Sequence, residues 1–354
     1  MTDTVCAVIM AGGKGERFWP LSTPRSPKPF LKLIDGNSLI ELTYERLKKV
    51  FPEDRIFFVL AQEHLSTLKE LYPNLKSDFI IVEPEGRDTA ACIAYSVFFL
   101  NKLFGDPVVA FFPADHYIGT EDLFKIALLR AVEIAKETDF LLTFGIRPTR
   151  PEIGYGYIRV GEVFSLSEPP VYRVQRFVEK PSLEKAKEYL EAGDFYWNSG
   201  IFVWRTSAIL REIERCLPQL FEGLKEALSY QENGDFARFS ACYKRLPRIS
   251  IDYGVMEKST EVLMVKGDFV WDDVGTWASL FRILKKDENS LVRIGNAFVS
   301  DVKNSIIISD DLNLGVLGVD GLIVVAAKNG VLVCTHEYAG FVRELARYFL
   351  SDDL

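Results

Sequence analysis

The chain has 354 residues, of which 48% are hydrophobic and 26% are charged, a composition that is ordinary for a globular protein. Its formal net charge of −8 gives no general electrostatic reason to bind nucleic acid or an anionic membrane. Any site for an anion must therefore be built from a local group of basic residues.

The five cysteines are scattered through the chain without CxxC spacing, a pattern that predicts buried thiols in a reducing compartment. No apolar run reaches the length of a membrane span, and the N-terminus lacks the charged-then-apolar pattern of a signal peptide. We therefore expect a cytoplasmic protein that has neither a nucleic-acid nor a membrane partner.

The first half of the chain alternates short apolar runs with longer helical patterns. Continuous apolar runs are typical of strands that are covered on both faces, and they occur at Val5–Met10, Arg55–Ala61, Asp78–Val82, Val108–Phe112 and Phe140–Ile146. Helical patterns lie between them, at Ser38–Val50, His64–Tyr72, Thr89–Leu103 and Glu121–Lys136. This alternation predicts a doubly wound α/β domain with a mostly parallel sheet.

From Gly154 the pattern becomes looser. The runs YGYIRV, VYRVQRFVEK and GIFVWR predict further strands. Helices are predicted over Leu183–Ala192 and between Ser207 and about Tyr243.

The sequence pattern changes again after Lys286. Short β runs, cut at short intervals by Asp, Asn and Gly, predict a small all-β unit closed by an amphipathic helix, Ala339–Phe349. We place the domain boundary near Lys285, which gives a larger domain of residues 1–285 and a smaller one of residues 286–354.

A loop rich in glycine, proline and basic residues, AGGKGERFWPLSTPRSPKPF, follows the first predicted strand. Glycine-rich turns after a first strand commonly bring backbone N–H groups close to a phosphate. The dinucleotide fingerprint does not fit, because Gly13 and Gly15 are followed by Phe18 where a third glycine is needed, which disfavours a nicotinamide dehydrogenase. The P-loop pattern does not fit either, since Lys14 is not followed by Ser or Thr.

The pattern that does fit is GGxGxRxxPLxxxxxPKP, which resembles the signature of the sugar-nucleotidyltransferase family. These enzymes join a nucleoside triphosphate to a sugar 1-phosphate. The chemistry agrees, because glycines let a loop wrap a triphosphate, Arg17 offers bidentate donors, and Lys28 is a point charge between two stiff prolines. The resemblance implies a Rossmann-like, glycosyltransferase-A-like catalytic domain and a truncated left-handed β-helix after it.

The stretch EPEGRDTAACIA is similar to the EPxGRNTAPAIA segment of the family's mannose-1-phosphate guanylyltransferase branch, in which this loop lies against the base. A carboxylate accepts both N1–H and N2–H₂ of guanine, so Glu83 or Glu85 is expected to read it. Asp88 and Ala91 differ from the branch's Asn and Pro, and Asp88 also suits a helix N-cap. The nucleotide-binding residues implied are Ala11, Gly12, Gly13, Gly15, Glu83, Glu85, Arg87 and Asp88.

Two acidic motifs are candidates for a metal site. Asp115 follows a buried strand in FFPADHYI, at the edge where ligands collect in open parallel sheets, although alone it would suit a turn. WDDVGTW resembles the family's W-x-D-[VTI]-G-T, which puts the functional carboxylate at Asp273 and the variable position at Asp272. The resemblance implies that Asp115 and Asp273 hold one Mg²⁺.

Four further motifs resemble the family's sugar-phosphate site: GYG, VEKP, NSG and SIDYGVMEK. The last is typical of the guanylyltransferase branch. Glu179 and Lys180 are neighbours at a strand end, so they point opposite ways unless the strand ends there; an exposed charge pair is the alternative. The sugar-phosphate-binding residues implied are Gly156, Glu179, Lys180, Asn198, Asp252 and Glu257.

The resemblance implies that GTP and α-D-mannose 1-phosphate give GDP-mannose and diphosphate, by in-line attack and with the catalytic residues Arg17, Lys28, Asp115 and Asp273. Another hexose-1-phosphate nucleotidyltransferase and a non-catalytic, sugar-nucleotide-binding regulatory homologue remain the alternatives. An isomerase domain, which some relatives carry, is not expected after the small β unit. The resemblance of that unit to the family's β-helix implies a homodimer.

Overall fold

The computed structural model describes residues 4–13, 15–24 and 26–350. The strands are β1 (Val5–Met10), β2 (Lys32–Ile34), β3 (Asn37–Ser38), β4 (Ile56–Ala61), β5 (Ile80–Glu83), β6 (Val108–Pro113), β7 (Tyr117–Ile118), β8 (Leu141–Ile146), β9 (Tyr157–Ser165), β10 (Val171–Val178), β11 (Phe195–Arg205), β12 (Val262–Gly267), β13 (Trp271–Asp272), β14 (Val292–Lys303), β15 (Ile306–Asp320), β16 (Leu322–Ala327) and β17 (Gly330–Thr335). The helices are α1 (Leu39–Lys48), α2 (Leu65–Leu71), α3 (Asp88–Phe104), α4 (Glu121–Glu137), α5 (Leu183–Ala192), α6 (Thr206–Cys216), α7 (Pro218–Glu232), α8 (Phe236–Tyr243), α9 (Trp277–Ile283) and α10 (Val342–Leu350).

The chain forms two compact units, and neither is continuous in sequence. The first unit contains Met1–Gly12, Tyr44–Ala114 and Ile118–Trp271. The second contains Gly13–Thr43, Asp115–Tyr117 and Asp272–Leu354. The domain boundary near Lys285 remains a prediction, because the two units are defined by contacts in space and each combines several segments of the chain.

A nine-stranded sheet, in the order β5-β4-β1-β6-β11-β8-β12-β10-β9, forms the centre of the first unit. Strands β5, β4, β1 and β6 are mutually parallel, as are β8 and β12, and β1 and β4 are almost fully buried. The α/β class and the parallel N-terminal half are therefore confirmed. β11 runs antiparallel to both β6 and β8, and the β9–β10 hairpin closes one edge.

Local sequence explains where helix α5 begins and ends. In α5, the Ser182 hydroxyl accepts the N–H of Lys185 at 3.4 Å, and Gly193 follows the last turn at a φ of +75°. A side-chain cap at the start and a left-handed glycine after the end are the usual helix limits. α5 therefore has the predicted bounds.

Parallel stacking organises strands β14, β15 and β16 of the second unit, to which β17 is added antiparallel. β14 pairs in parallel with β15, and β15 pairs in parallel with β16. This register aligns Val292 with Ile306 and Ile306 with Ile323, and all three are buried. Repeated apolar residues at one register position are how stacked coils of this kind build a continuous core.

The second unit's core also includes the N-terminal loop and the last helix. Trp19 stacks on Phe349, with ring centroids 5.2 Å apart and an interplanar angle of 9°. Val342 and Ala346 are buried in the same cluster as Phe18. The predicted terminal helix, Ala339–Phe349, is instead a 3₁₀ segment over His336–Phe341 followed by α10.

Across residues 4–13, 15–24 and 26–350, no helix is both long enough and apolar enough to cross a membrane.

Candidate active site

The glycine loop leaves the sheet at the carboxyl end of β1. Ala11 is buried, and its N–H donates to the Val59 carbonyl at 2.8 Å. It therefore continues the hydrogen bonding of the sheet, and its methyl group is not exposed. Gly12 and Gly13 are exposed, and Gly13 has a φ of +142°. The exposed backbone thus starts directly after the last residue fixed by the sheet.

Gly15 lies tightly against the lysine of the PKP segment. A Cβ at this position would lie 2.8 Å from the backbone nitrogen of Lys28 and 3.0 Å from its Cα, and Gly15 has a φ of +65°. Lys28 begins a 3₁₀ turn between Pro27 and Pro29. Both the conformation and the contact require glycine here.

Lys28 connects the two aspartates that the sequence marks as metal ligands. Its Nζ lies 2.8 Å from Oδ2 of Asp115 and donates to the backbone carbonyl of Asp273 at 2.6 Å. Burial raises the pKa of Asp115, but the charges of Lys28 and His116 outweigh it and hold that pKa below its ordinary value. The carboxylate of Asp115 is therefore kept ionised.

The two adjacent aspartates of WDDVGTW face different surroundings. Asp272 is buried and pairs with Arg282 at 3.0 Å, while Asp273 lines a cleft and accepts the N–H of Gly275 at 2.9 Å. Burial raises the pKa of Asp272, and the Asp273 charge adds to this, against the lowering effect of Arg282. Of the two side chains, only Asp273 lines the cleft.

That cleft belongs entirely to the second unit and measures about 420 Å³. It is lined by Gly13, Gly15, Glu16, Arg17, Phe18, Lys28, Asp115, His116, Asp273, Gly275 and Arg343. All four residues predicted to be catalytic are in this group. Arg343 of α10 was missed, because nothing in an amphipathic helix so far from Arg17 in sequence signals that it contributes to the same cleft.

In the first unit, the residues predicted to bind the sugar phosphate form one cluster around Asn198. Its Nδ2 donates to Oδ1 of Asp252 at 2.8 Å, its N–H donates to the carbonyl of Gly156 at 2.8 Å, and its Oδ1 accepts the hydroxyl of Thr143 at 2.9 Å. Asn198 is 7% exposed. Thr143, which sequence reasoning missed, fixes the amide so that its NH₂ points at Asp252.

Glu179 and Lys180 lie just beyond the end of β10, so the strand alternation does not separate them. Their side chains pair at 2.9 Å, and Lys180 adopts a φ of +47°. The N–H of Glu179 donates to Oε1 of Glu257 at 2.8 Å. The structure therefore brings together all six predicted residues: Gly156, Glu179, Lys180, Asn198, Asp252 and Glu257.

This cluster is rich in carboxylates, and their pKa values reflect it. Burial raises the pKa of Asp252 to about 7, and the nearby charge of Glu179 adds to the effect. Burial also raises the pKa of Glu179, against the lowering effect of Lys180. The pKa of Lys180 is raised, because the charge of Glu179 outweighs the effect of burial.

The two glutamates proposed as readers of the base have different environments. Glu83, at the end of β5, is 3% exposed and accepts the hydroxyl of Tyr243 at 2.7 Å. Burial raises its pKa to about 7, although hydrogen bonds from Tyr243 and Cys92 oppose the shift. The side chain of Glu85 is 38% exposed, so it is the more accessible carboxylate.

The remaining residues of this loop are held by contacts within the first unit. Glu85 pairs with Arg248 and lies 3.5 Å from Arg87, and the Nε of Arg87 donates to the Leu246 carbonyl at 2.8 Å. Asp88 begins α3 at a φ of +69°, and its carboxylate accepts the N–H of the next residue. That bond is not an N-cap bond, which would reach two or three residues ahead, so the capping prediction is wrong.

Two segments of the chain match known protein families. Residues 6–290 match the family model described as nucleotidyl transferase, and residues 295–348 match a MannoseP isomerase/GMP-like β-helix domain. The chain is 37% identical over 345 residues to a mannose-1-phosphate guanylyltransferase of Klebsiella pneumoniae, in an alignment that covers 96% of this chain and 73% of that protein.

Two further similarities agree with this result. The xanthan biosynthesis protein XanB of Xanthomonas campestris is 35% identical over 355 residues, 99% of this chain and 74% of that protein. The crystal structure of mannose-1-phosphate geranyltransferase from Thermus thermophilus has a TM-score of 0.86 and 36% identity, and the match covers 98% of this chain and 99% of that one. The chain belongs to the nucleotidyl transferase family.

Proposed function

We propose that this nucleotidyltransferase transfers a guanylyl group from GTP to α-D-mannose 1-phosphate, giving GDP-mannose and diphosphate. The observation that carries the proposal is the cleft of the second unit, in which Lys28 contacts Asp115 and the Asp273 backbone beside an exposed glycine loop. The choice of GTP and mannose 1-phosphate is supported by relatives that are 36–37% identical and carry the name mannose-1-phosphate guanylyltransferase.

The reaction needs little covalent help from side chains. An oxygen of the sugar phosphate attacks the α-phosphorus of GTP, and the bond to the leaving diphosphate breaks with its electron pair on the diphosphate oxygen. Positioning and charge neutralisation therefore dominate catalysis. We assign Arg17 and the N–H groups of the glycine loop to the leaving diphosphate, and Lys28 to charge neutralisation near the reacting phosphate.

The donor set of the cleft fits a hard divalent cation. Asp115 and Asp273 supply carboxylate oxygens, and Mg²⁺ is ordinarily held by one or two carboxylates with phosphate oxygens and water. Within the described part of the chain, no group of three or more His, Cys, Asp or Glu side chains could hold a metal, so substrate phosphates would complete the shell. A bound Mg²⁺ would neutralise charge on the phosphate oxygens.

The first unit supplies the residues that we assign to the sugar phosphate and the base. Lys180 would orient the sugar phosphate, while Glu179, Asn198 and Asp252 would bind sugar hydroxyls, which both donate and accept hydrogen bonds. For the base we favour Glu85 over Glu83, because the carboxylate of Glu83 is buried against Tyr243.

The proposal also includes a homodimer and a cytoplasmic location. A homodimer formed by the small β unit is supported by apolar side chains that are 58–70% exposed on its strands, Phe298, Leu317, Val331 and Val333. A cytoplasmic location is supported by five free cysteines, which suit a reducing compartment. Sedimentation that gives the monomer mass at assay concentration would count against the dimer.

The decisive experiment measures diphosphate release from GTP, ATP, UTP and dTTP, each with a panel of sugar 1-phosphates. We expect the highest kcat/KM for GTP with mannose 1-phosphate. Preference for another pair would favour a different hexose-1-phosphate nucleotidyltransferase. Binding of GDP-mannose without any turnover would favour a regulatory homologue.

A further inference from the structure

The last helix of the chain contributes a cation to the cleft of the second unit. Arg343, in the first turn of α10, lines the same cleft as Arg17 and Lys28. Its side chain is 48% exposed, whereas that of Lys28 is only 10% exposed. Arg343 can therefore meet a ligand in the cleft without leaving its position on the helix.

The helix is fixed to the glycine loop by packing inside the second unit. Val342 and Ala346 lie on the buried face of α10, one before and one after Arg343 in the sequence, and are 3% and 0% exposed. At its far end Phe349 stacks on Trp19 of the loop. This packing determines where Arg343 lies relative to the loop, so its place at the cleft is part of the fold.

A carboxylate of the loop binds this arginine. The Nε of Arg343 donates to Oε2 of Glu16 at 2.8 Å, and the Nε of Arg347 lies 3.3 Å from the same oxygen. Burial raises the pKa of Glu16, but Arg343 and Arg347 outweigh it and hold that pKa below its ordinary value. Within residues 4–13, 15–24 and 26–350, the Nη atoms of Arg343 donate to no partner.

We propose that Arg343 is a binding residue for the β- and γ-phosphates of the triphosphate, the part that leaves as diphosphate. Glu16 holds the guanidinium beside the loop through Nε, and the two Nη groups bind the phosphates, as planar guanidinium groups do in bidentate contacts. Glu16 precedes Arg17, which we assign to the same phosphates. The inference rests on one part of the proposed function, namely that a nucleoside triphosphate binds in this cleft.

Arg347 is a matched control, because it shares the Glu16 contact with Arg343 but does not line the cleft. Replacing either arginine by Gln removes one charge from α10 and one contact to Glu16. Only Arg343→Gln removes a group from the cleft. Both side chains are about half exposed, at 48% and 58%, so neither substitution is expected to prevent folding.

The test is titration calorimetry of GTP and GMP, with Mg²⁺ present, on the wild-type protein, Arg343→Gln, Arg343→Lys and Arg347→Gln. Loss of a charge-assisted contact should weaken GTP binding about 10- to 100-fold in Arg343→Gln. GMP, which lacks the β- and γ-phosphates, should bind as it does to wild type. Arg343→Lys should recover part of the GTP affinity, and Arg347→Gln should change it less than about threefold, as for an exposed ion pair.

The proposal is overturned if Arg343→Gln leaves the ratio of GTP to GMP affinity unchanged, or if Arg347→Gln changes that ratio as much. Thermal unfolding of each variant shows whether a loss of binding reflects loss of fold. If wild type prefers another triphosphate, the guanylyl assignment fails, and the same comparison with that triphosphate and its monophosphate still decides the role of Arg343.

Discussion

Two aspartates, one in each unit, illustrate how the two parts of the molecule differ. Asp115 faces Lys28, which keeps its pKa below the ordinary value against the effect of burial. Asp252 faces Glu179, and burial with this like charge raises its pKa to about 7. The side chain is the same, so the neighbouring charge decides which protonation state the fold favours.

This difference matches the ligands that we assign to each unit. A cleft that holds ionised carboxylates and several cations suits a metal-bound polyphosphate. A cluster of carboxylates with raised pKa values, one amide and one lysine suits a sugar, because hydroxyl groups donate as well as accept hydrogen bonds. The following predictions test this contrast, from the largest expected effect to the smallest.

The largest effect is expected in the cleft. Asp273→Asn should lower kcat with GTP and mannose 1-phosphate at least about 100-fold, the scale of losing a charge contact in the transition state. Asp272→Asn is the control, since Asp272 pairs with Arg282 and does not line the cleft. Asp272→Asn should lower the free energy of unfolding, while its kcat per folded molecule should fall much less than that of Asp273→Asn. Near-normal turnover of Asp273→Asn in saturating Mg²⁺ would contradict the ligand assignment.

The pair of Lys28 and Asp115 can be measured by a double-mutant cycle. Lys28→Met removes the ammonium group that lies 2.8 Å from the Asp115 carboxylate. Asp115→Asn removes the carboxylate charge that faces the Lys28 ammonium. We expect a coupling energy of about 2 kcal/mol in the free energy of unfolding. The measurement is denaturant unfolding of both single variants and the double variant. A coupling near zero would mean that the contact adds no stability.

A smaller effect is expected on the choice of base. Glu85→Gln should reduce the ratio of kcat/KM for GTP over ATP about tenfold, the value of one hydrogen bond to a charged group. Glu83→Gln should affect this ratio less and stability more, because Glu83 is buried against Tyr243. If the ratio is unchanged in both variants, backbone groups read the base.

The smallest effect concerns pH and the sugar cluster. The pKa of Asp252 is about 7 in the folded protein and about 3.9 in an unfolded chain, so its contribution to stability is complete below about pH 4 and is lost as the pH rises to about 7. The stability of wild type relative to Asp252→Asn should therefore fall by about 1.3 kcal/mol between pH 5 and pH 6. Thermal unfolding of both proteins at several pH values measures this, and a constant difference would contradict it.

Sequence reasoning was most successful where a few adjacent residues determine the outcome. The run VCAVIM predicted β1 with its observed bounds, and Ser182 and Gly193 limit α5 where the pattern placed them. The signature GGxGxRxxPLxxxxxPKP identified the loop because its glycines and prolines act on the backbone locally. The two distant aspartates were predicted through motif resemblance, and both line one cleft.

What the sequence could not indicate depends on contacts between distant segments. Arg343 lies in a helix whose pattern records only which face is buried, so its place beside Glu16 follows from the packing of the second unit. Glu83 could not be distinguished from Glu85, because the hydroxyl that binds it belongs to Tyr243, 160 residues later. No local pattern encodes such a partner.

The two prolines around Lys28 have a consequence for the dynamics of ligand recognition. Proline rings fix φ at Pro27 and Pro29, and Lys28 between them contacts Asp115. Little conformational entropy is therefore left for this segment to lose when a nucleotide arrives. We expect association to proceed without a slow rearrangement of the PKP turn, so that mobility during the catalytic cycle is concentrated in other parts of the chain.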